Sequence, residues 1–367
     1  MHLLPPYRRL LLLTEGRLGV FSSKTAAVLL RYRAQDVVAV VDSVAAGGDL
    51  RAAVPWAPRV PIIADVRQAV SLRPDALFIG VAPVGGALPE EMARHVEAAL
   101  RMGLDVVSGL HTRLADDPRF AALARAHDSA AAQAHTAQAR GPAPRILDLR
   151  TPPAQQVVAS ARARETPCRR VLTVGTDCNV GKMVAAVELA RAGRAAGLDA
   201  RFVATGQTGI MIEGRGVSID AVVADFVAGA VEELVLSVAD CDLCVVEGQG
   251  SIGHPGYSGV TLSLLHGVCP DAMVLVHHAG RERHNAEPHH PLAPIRRQIA
   301  AYEQAAALLH PARVVAIALN TVNLVEAAAR EAAERLEGET GLPTADVMRD
   351  GCERLLPACL GARVAGT

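Results

Sequence analysis

The sequence predicts an α/β protein built from two doubly wound parallel-sheet domains. Three observations carry that expectation. Short leucine-rich or β-branched runs alternate with helical patterns along the chain, the signature of parallel strands joined by helical crossovers. The alternation is interrupted once, from Ala130 to Arg170, where Ala, Gln, Pro and Arg surround "GPAP" and "RTPPAQQ", the composition of a linker. Finally, 367 residues, half of them apolar and a fifth charged, are long for one core and comfortable for two.

The first domain is expected over residues 1–150. Its first strand is "LLLTEG", followed by a helix in "SSKTAAVLLRYR" with Ser22 or Ser23 placed to cap it. Strands follow in "DVVAVVDS", "VPIIAD", "DALFIGVAP" and "LDVVSGLH", with helical segments between them and "RILDLR" as the last strand. Gly16-x-x-Gly19 after a strand, with Asp42 ending the next, echoes a dinucleotide-binding turn. The G-x-G-x-x-G spacing is absent, so the expectation is a Rossmann-like scaffold without a cofactor. "GVAPVGG" (80–86) and "SGLH" (108–111) stand at carboxyl ends of strands, where a ligand approaches the backbone of a parallel sheet. Tight turns alone account for those glycines equally well.

Residues 151–168 read as the linker and 169–367 as the second domain. Its strands are expected in "RRVLTVG", "DARFVATG", "DLCVVEG", "DAMVLVHH" and "ARVVAIALN", with helices at 181–196, 219–238, 292–309 and 323–337. A glycine-bounded turn after its first strand makes it P-loop NTPase-like.

Several function classes are excluded. A net charge of −1 supplies no basic field for nucleic acid, and 3% aromatics supply no stacking platform. The apolar runs are strand-sized, too short to span a bilayer. "MHLLPPYRRLLLLTEG" ends in a turn and not at a small-residue cleavage site, which points to a cytoplasmic protein. Seven cysteines without framework spacing argue against disulfides, and Cys241-x-x-Cys244 sits in a hydrophobic run as small buried thiols. Eight of the 13 histidines fall between 254 and 310, yet "HHAGRERHNAEPHH" has no metal-ligand spacing. No metal is expected there.

The most informative stretch is "VLTVGTDCNVGKMVAAVELA", residues 171–190. It reads as a buried strand, a turn over Gly175, Thr176, Asp177, Cys178, Asn179, Val180 and Gly181, and a helix opened by Lys182. Such a turn points successive N–H groups at phosphate oxygens, and the lysine and helix dipole add positive charge. Of the 37 basic residues only Lys24 and Lys182 are lysine, and a slender ammonium enters a phosphate cradle that excludes a guanidinium. "GTDxxVGK" resembles the dethiobiotin-synthetase and cobyrinate-amidase branch of P-loop proteins. Met183 replaces the serine or threonine whose hydroxyl holds magnesium. A thioether is no hard ligand, so ATP hydrolysis is put in doubt while the cradle survives. Coenzyme A, whose phosphates need holding but whose chemistry lies at a distant thioester, fits such a loop.

Other polar loops surround it. In "LCVVEGQGSIGHPGYSG", Glu247 ends a strand where a Walker-B acid stands, followed by Gln249, Ser251, His254 and Tyr257. "ATGQTGIMIEGRG" (204–216) reads as a second glycine-rich loop, with Gln207 in it. Downstream, Asp225 lies among Val and Phe. Arg281 and Arg283 are available to pair with carboxylates. Asn320 stands where related P-loop enzymes read adenine.

With these motifs assembled, the chain resembles the D-glutamate N-acetyltransferase family. "VGTDCNVGKM", "ATGQTGIMIEGRGVSIDAVVADFVAGAVE", "EGQGSIGHPGYSGVTLSLLHG" and "VVAIALNT" carry the likeness, joined by "TEG…KTA", "VVAVVDS", "GVAPVGG" and "VSGLH" in the first domain. Met183 is part of the family's own pattern. The resemblance implies acetyl transfer from acetyl-CoA, as co-substrate, to the amino group of D-glutamate or a related acidic amino acid, without an obligatory metal. Gly175, Thr176, Cys178 to Met183 and Asn320 would hold coenzyme A. Glu247 is the first candidate for the base, with His254 and Asp177 behind it. Backbone N–H groups over 248–253 would stabilise the oxyanion, and Gln207, Ser251, Tyr257, Arg281 and Arg283 would meet the acceptor. A small-molecule substrate, no nucleic acid, no membrane and a symmetric homo-oligomer complete the expectation. The alternatives are an ATP-dependent carboxylate-activating ligase, which needs magnesium, and a silent nucleotide sensor, which binds without turnover.

Overall fold

A computed structural model describes residues 1–83, 85–133, 143–285 and 290–361, with the backbone alone over 127–133. The "GPAP" end of the expected linker stretch, at 141–142, and residues 286–289 of the histidine tract lie outside the described residues. The chain forms two compact units, His2–Thr151 with Ile210–Gly214, and Pro152–Gly209 with Arg215–Thr367 and Met1. Among the described residues no helix is long and apolar enough to cross a membrane.

The first unit holds a six-stranded parallel sheet: β1 (Leu10–Leu13), β2 (Val37–Val41), β3 (Ile62–Ile63), β4 (Ala76–Ile79), β5 (Asp105–Ser108) and β6 (Ile146–Asp148). The spatial order is β3-β2-β1-β4-β5-β6, the Rossmann order, with the switch point beside β1. Leu10 to Leu13 are all fully buried, because a central parallel strand has helices over both faces. Helices α1 (Lys24–Tyr32), α2 (Leu50–Ala53), α3 (Glu90–Arg101) and α4 (Pro118–Gln133) accompany it. In α3, Met92, Val96, Ala99 and Leu100 line the buried stripe, while Glu90 and Glu91 in the first turn and Arg101 in the last complement the dipole. Ser23 stands at the cap position of α1, but its hydroxyl donates to the Gly19 carbonyl at 2.9 Å and caps no helical N–H.

The dinucleotide echo is closed off from within. The fully buried Asp42 carboxylate accepts from Thr14 Oγ1 at 2.9 Å and from the N–H groups of Leu18, Val44 and Ala45 at 3.2, 3.1 and 3.0 Å. Glu15, at the turn after β1, accepts from the Ser43 N–H and hydroxyl at 2.9 and 2.7 Å. A buried carboxylate at that turn has the wrong sign for a pyrophosphate. The two glycine-rich turns of this unit pack on each other: a Cβ at Gly86 would stand 2.6 Å from His111, and Thr112 N–H donates to the Gly86 carbonyl at 3.1 Å.

The second unit also holds a six-stranded parallel sheet: β7 (Arg169–Gly175), β8 (Ala200–Val203), β9 (Leu243–Val246), β10 (Ala272–His278), β11 (Arg313–Asn320) and β12 (Thr344–Asp346). Their order is β12-β11-β10-β7-β9-β8, so the first strand lies centrally, between β9 and β10. Helices are α5 (Lys182–Ala195), α7 (Ala224–Leu236), α8 (Ser258–Val268), α9 (Ile295–Ala307), α10 (Glu326–Thr340) and α11 (Leu356–Leu360), while α6 (Gln207–Glu213) starts in this unit and continues past the division at Gly209–Ile210. Leu172, Val174, Val246, Leu275, Val231 and Leu264 are among its core. Two expectations change here. The glycine-rich stretch after β8 is a helix, α6, and no loop. Asp225, read among apolar neighbours, is exposed in the first turn of α7.

Candidate active site

The loop after β7 is shaped by local chemistry. Asn179 has φ 54° and Gly181 φ 108°; asparagine tolerates the first and glycine alone the second. Gly181 carries no side chain to cap α5, so the first-turn N–H groups are left for a ligand. Lys182 folds back beneath the loop, its Nζ donating to the Asp177 carbonyl at 2.8 Å. A Cβ at Gly175 would meet that Nζ at 2.9 Å, which is why the strand ends in glycine. Burial lowers the Lys182 ammonium to about 8, opposed by Cys178, Asp177 and Glu247. Met183 is half-buried on the same turn.

Neighbouring strands lock the loop in place. Thr176 Oγ1 lies 3.0 Å from His277 Nδ1 at the end of β10, and burial lowers His277 to about 4, so it is neutral at pH 7. Asn320, at the end of β11, donates its amide to the Val180 carbonyl at 3.1 Å, so it serves the loop's shape before any adenine. Tyr302, on α9, was not singled out by sequence. Its fully buried hydroxyl donates to the Gly175 carbonyl at 2.7 Å and accepts from Ile252 N–H at 3.0 Å, tying the P-loop to the loop after β9. Removing that hydroxyl leaves the buried Gly175 carbonyl without this donor and the partly buried Ile252 N–H without its acceptor. Tyr302→Phe is therefore expected to cost about 1–3 kcal/mol of the second unit's stability, read by thermal unfolding.

Glu247 ends β9 against α6. Its Oε2 accepts from the Thr205 and Gly206 N–H groups at 3.0 and 3.1 Å. A Cβ at Gly209 would stand 2.5 Å from the same oxygen, so the glycines that read as a loop are the bare face on which a buried carboxylate rests. Burial pushes Glu247 up to about 7, against those two N–H groups and the charge of Lys182. Gln249 donates to the Thr205 carbonyl at 2.6 Å. The N–H groups expected to form an oxyanion hole are partly engaged: Gly248 donates to Thr173 Oγ1 at 3.0 Å and Ile252 to Tyr302.

Asp177 is the hub of the polar cluster. The carboxylate is fully buried and accepts at Oδ1 from His284 Nδ1 at 2.8 Å, and at Oδ2 from Arg281 Nη1 at 3.0 Å and Asn285 N–H at 2.8 Å. Burial alone would raise it, but hydrogen bonds from His284, Asn285 and its neighbour Cys178 N–H hold it below the ordinary range. Arg281, expected at the acceptor's carboxylate, is turned onto Asp177 and the Cys178 carbonyl at 2.7 Å. Arg283 is exposed on the same segment. His254 is buried, its Nδ1 accepting from Gly256 N–H at 3.0 Å, with its ring 4.7 Å from the half-exposed Tyr257 ring and 4.9 Å from His284. Ser251 is fully buried beneath this loop and Gln207 opens α6.

Side-chain atoms of Asp177, Cys178 and His254 lie within 4.8 Å of one another. The set does not suit a cation. Arg281 already faces the carboxylate, and a His254 whose Nδ1 accepts an N–H carries its hydrogen on Nε2, where a ligand lone pair is needed.

The model of DUF1611, a domain of unknown function described as a P-loop domain, matches residues 157–356; that of its N-terminal Rossmann-like domain matches residues 43–133. A D-glutamate N-acetyltransferase of Pseudoalteromonas sp. is 34% identical over 290 residues, 79% of this chain and 82% of the relative. A D-glutamate N-acetyltransferase of Tritonibacter scottomollicae is 38% identical over 283 residues, 77% and 80% of the two chains. The crystal structure of a DUF1611 family protein from Anabaena variabilis ATCC 29413 is similar with a TM-score of 0.86 at 42% identity, covering 96% of this chain and 99% of that one.

Proposed function

This chain belongs to the DUF1611 family, and from that premise we propose how it performs the N-acetylation of D-glutamate for which its relatives are named: with acetyl-CoA as donor, held at the P-loop. The observation that carries the reading is the pairing of an uncapped helix N-terminus and a buried Lys182 with Met183 in place of a magnesium-binding hydroxyl. Such a cradle suits phosphates that are held and not cleaved.

In this reading the turn from Gly175 to Met183 surrounds the phosphates of coenzyme A, with Lys182 as charge partner. Asn320 acts on the ligand through Val180. The acetyl thioester lies toward Asp177, His254 and the loop after β9, where Ser251, Tyr257 and Gln207 face the acceptor. Of the two arginines, Arg283 keeps the role of pairing with an acceptor carboxylate. No metal takes part, and a cytoplasmic enzyme meets both substrates.

Release of free thiol from acetyl-CoA tests the reading, with D-glutamate, L-glutamate, D-aspartate, or ATP and magnesium added. Release that depends on D-glutamate and ignores magnesium is the expected result. Magnesium-dependent loss of ATP without acetyl transfer would overturn it. A pH series adds a second check. Lys182 is charged below about pH 8 and neutral above it. The value of kcat/KM for acetyl-CoA, which reports the free enzyme, is thus expected to fall on the alkaline side of about pH 8. At saturating acetyl-CoA, kcat stays flatter, because bound phosphates keep the ammonium protonated.

A further inference from the structure

Acetylation of an amine needs a base, since an ammonium has no lone pair with which to attack a thioester. The sequence offers Glu247, His254 and Asp177. Each of the three is held by other partners in the folded chain. Glu247 has one oxygen fixed by two backbone N–H groups and lies against Gly209. Asp177 is fully buried and already accepts from His284, Arg281 and Asn285. His254 accepts a backbone N–H at Nδ1, so its hydrogen sits on Nε2 and that nitrogen donates.

We propose that His284 is the catalytic base, oriented by Asp177, and that His254 Nε2–H is the donor set against it. This rests on the acetyl-transfer reading above and assigns its proton transfer. An ionised carboxylate only accepts, so the 2.8 Å contact places the hydrogen on His284 Nδ1 and the lone pair on Nε2. Both side chains are buried, at 3% and 0% exposure, which fixes the ring's orientation. His254 meets His284 edge to face, centroids 4.9 Å apart at 83°, while His290 stacks on His284 at 5.2 Å. Two adjacent imidazoles thus hold opposite tautomers, one offering a lone pair and the other an N–H. Those are the two groups that amine acylation requires, a proton acceptor and an oxyanion donor.

His284 Nε2 takes one proton from the α-ammonium of D-glutamate. The freed nitrogen attacks the acetyl carbonyl carbon, forming the C–N bond, and the carbonyl oxygen becomes an oxyanion facing His254 Nε2–H. Collapse breaks the C–S bond and expels the coenzyme A thiolate, which receives the proton held on His284. The second proton on nitrogen passes to water, leaving the amide.

The test compares wild type with His284→Ala in the thiol-release assay, with free imidazole as rescue. General-base loss is expected to lower kcat by about 10²–10⁴-fold. KM for acetyl-CoA should stay within a few-fold, and imidazole should restore part of kcat in His284→Ala but add nothing to wild type. Should His284→Ala fail to fold, judged by circular dichroism, His284→Gln is assayed for the same fall in kcat. An active wild type beside a variant that keeps its kcat, or loses only acetyl-CoA affinity, overturns this assignment alone. A wild type that releases no thiol with any amino acid overturns the transfer reading, and this assignment with it.

Discussion

Asp177→Asn is expected to lower kcat by on the order of 10³–10⁴-fold while leaving KM for acetyl-CoA within a few-fold. The magnitude is that seen when the buried aspartate of a catalytic Asp-His pair is made neutral. The cause is a tautomer. Asparagine presents an N–H₂ as well as a carbonyl to a ring of donors that now includes His284 Nδ1–H, Arg281 and Asn285 N–H. If the amide donates to His284, the ring's hydrogen moves to Nε2 and the lone pair there is lost. If instead its carbonyl accepts from His284, its N–H₂ confronts Arg281 and the Asn285 N–H. Measuring kcat and KM separately distinguishes this from general damage, and Asp177→Glu, which keeps the charge, should recover part of the rate. Stability follows the same carboxylate. Its folded value is held below the ordinary one, so its contribution is complete above the ordinary carboxylate range and is lost as pH falls through the lowered value. The asparagine variant lacks that contribution at neutral pH and should respond less to acid.

Lys182→Ala is expected to act on the other axis, raising KM for acetyl-CoA roughly 30- to 1,000-fold with little change in KM for D-glutamate. Removing one member of a buried charge pair costs about 2–4 kcal/mol, and each 1.4 kcal/mol is tenfold. Lys182→Arg should rescue little, because the side chain runs past Gly175 where even a Cβ would stand 2.9 Å from Nζ, leaving no width for a guanidinium. Equal changes in both Michaelis constants would sink the assignment of the loop to the donor.

What was legible in the sequence was local. A strand, a turn and a helix over 171–190 are adjacent in the chain, and periodicity with glycine placement suffices to read them. The two sheets follow from the same alternation. The Asp177–His284 pair was not legible, because the two residues stand 107 residues apart and the parallel neighbours β7 and β10 bring them together. His284 looked like one more histidine in a polar tract, and Asp177 stood only as a third candidate for the base, with nothing to pair it with His284. Tyr302 was missed for the same reason, its partner Gly175 lying 127 residues away. Arg281 and Asn320 were read as ligand contacts from their types, yet both face inward to shape the loop. Composition misled at α6, where Gly206 and Gly209 suggested a polar, glycine-rich loop. They are small because the Glu247 carboxylate lies on them.

The first unit carries a consequence for how such chains change over time. It keeps the Rossmann strand order while Glu15 and Asp42, the acids of its would-be cofactor crevice, are committed to Ser43, Thr14 and nearby backbone N–H groups. Replacing Asp42 takes its carboxylate acceptor from the buried Thr14 hydroxyl, at a cost of about 1–3 kcal/mol, whereas Ser43, the partner of Glu15, is exposed. A change at Asp42 toward a dinucleotide site therefore passes through a less stable protein. The Rossmann strand order is thus kept by a domain whose acids brace its own turns, so architecture and cofactor chemistry are separable in one sheet.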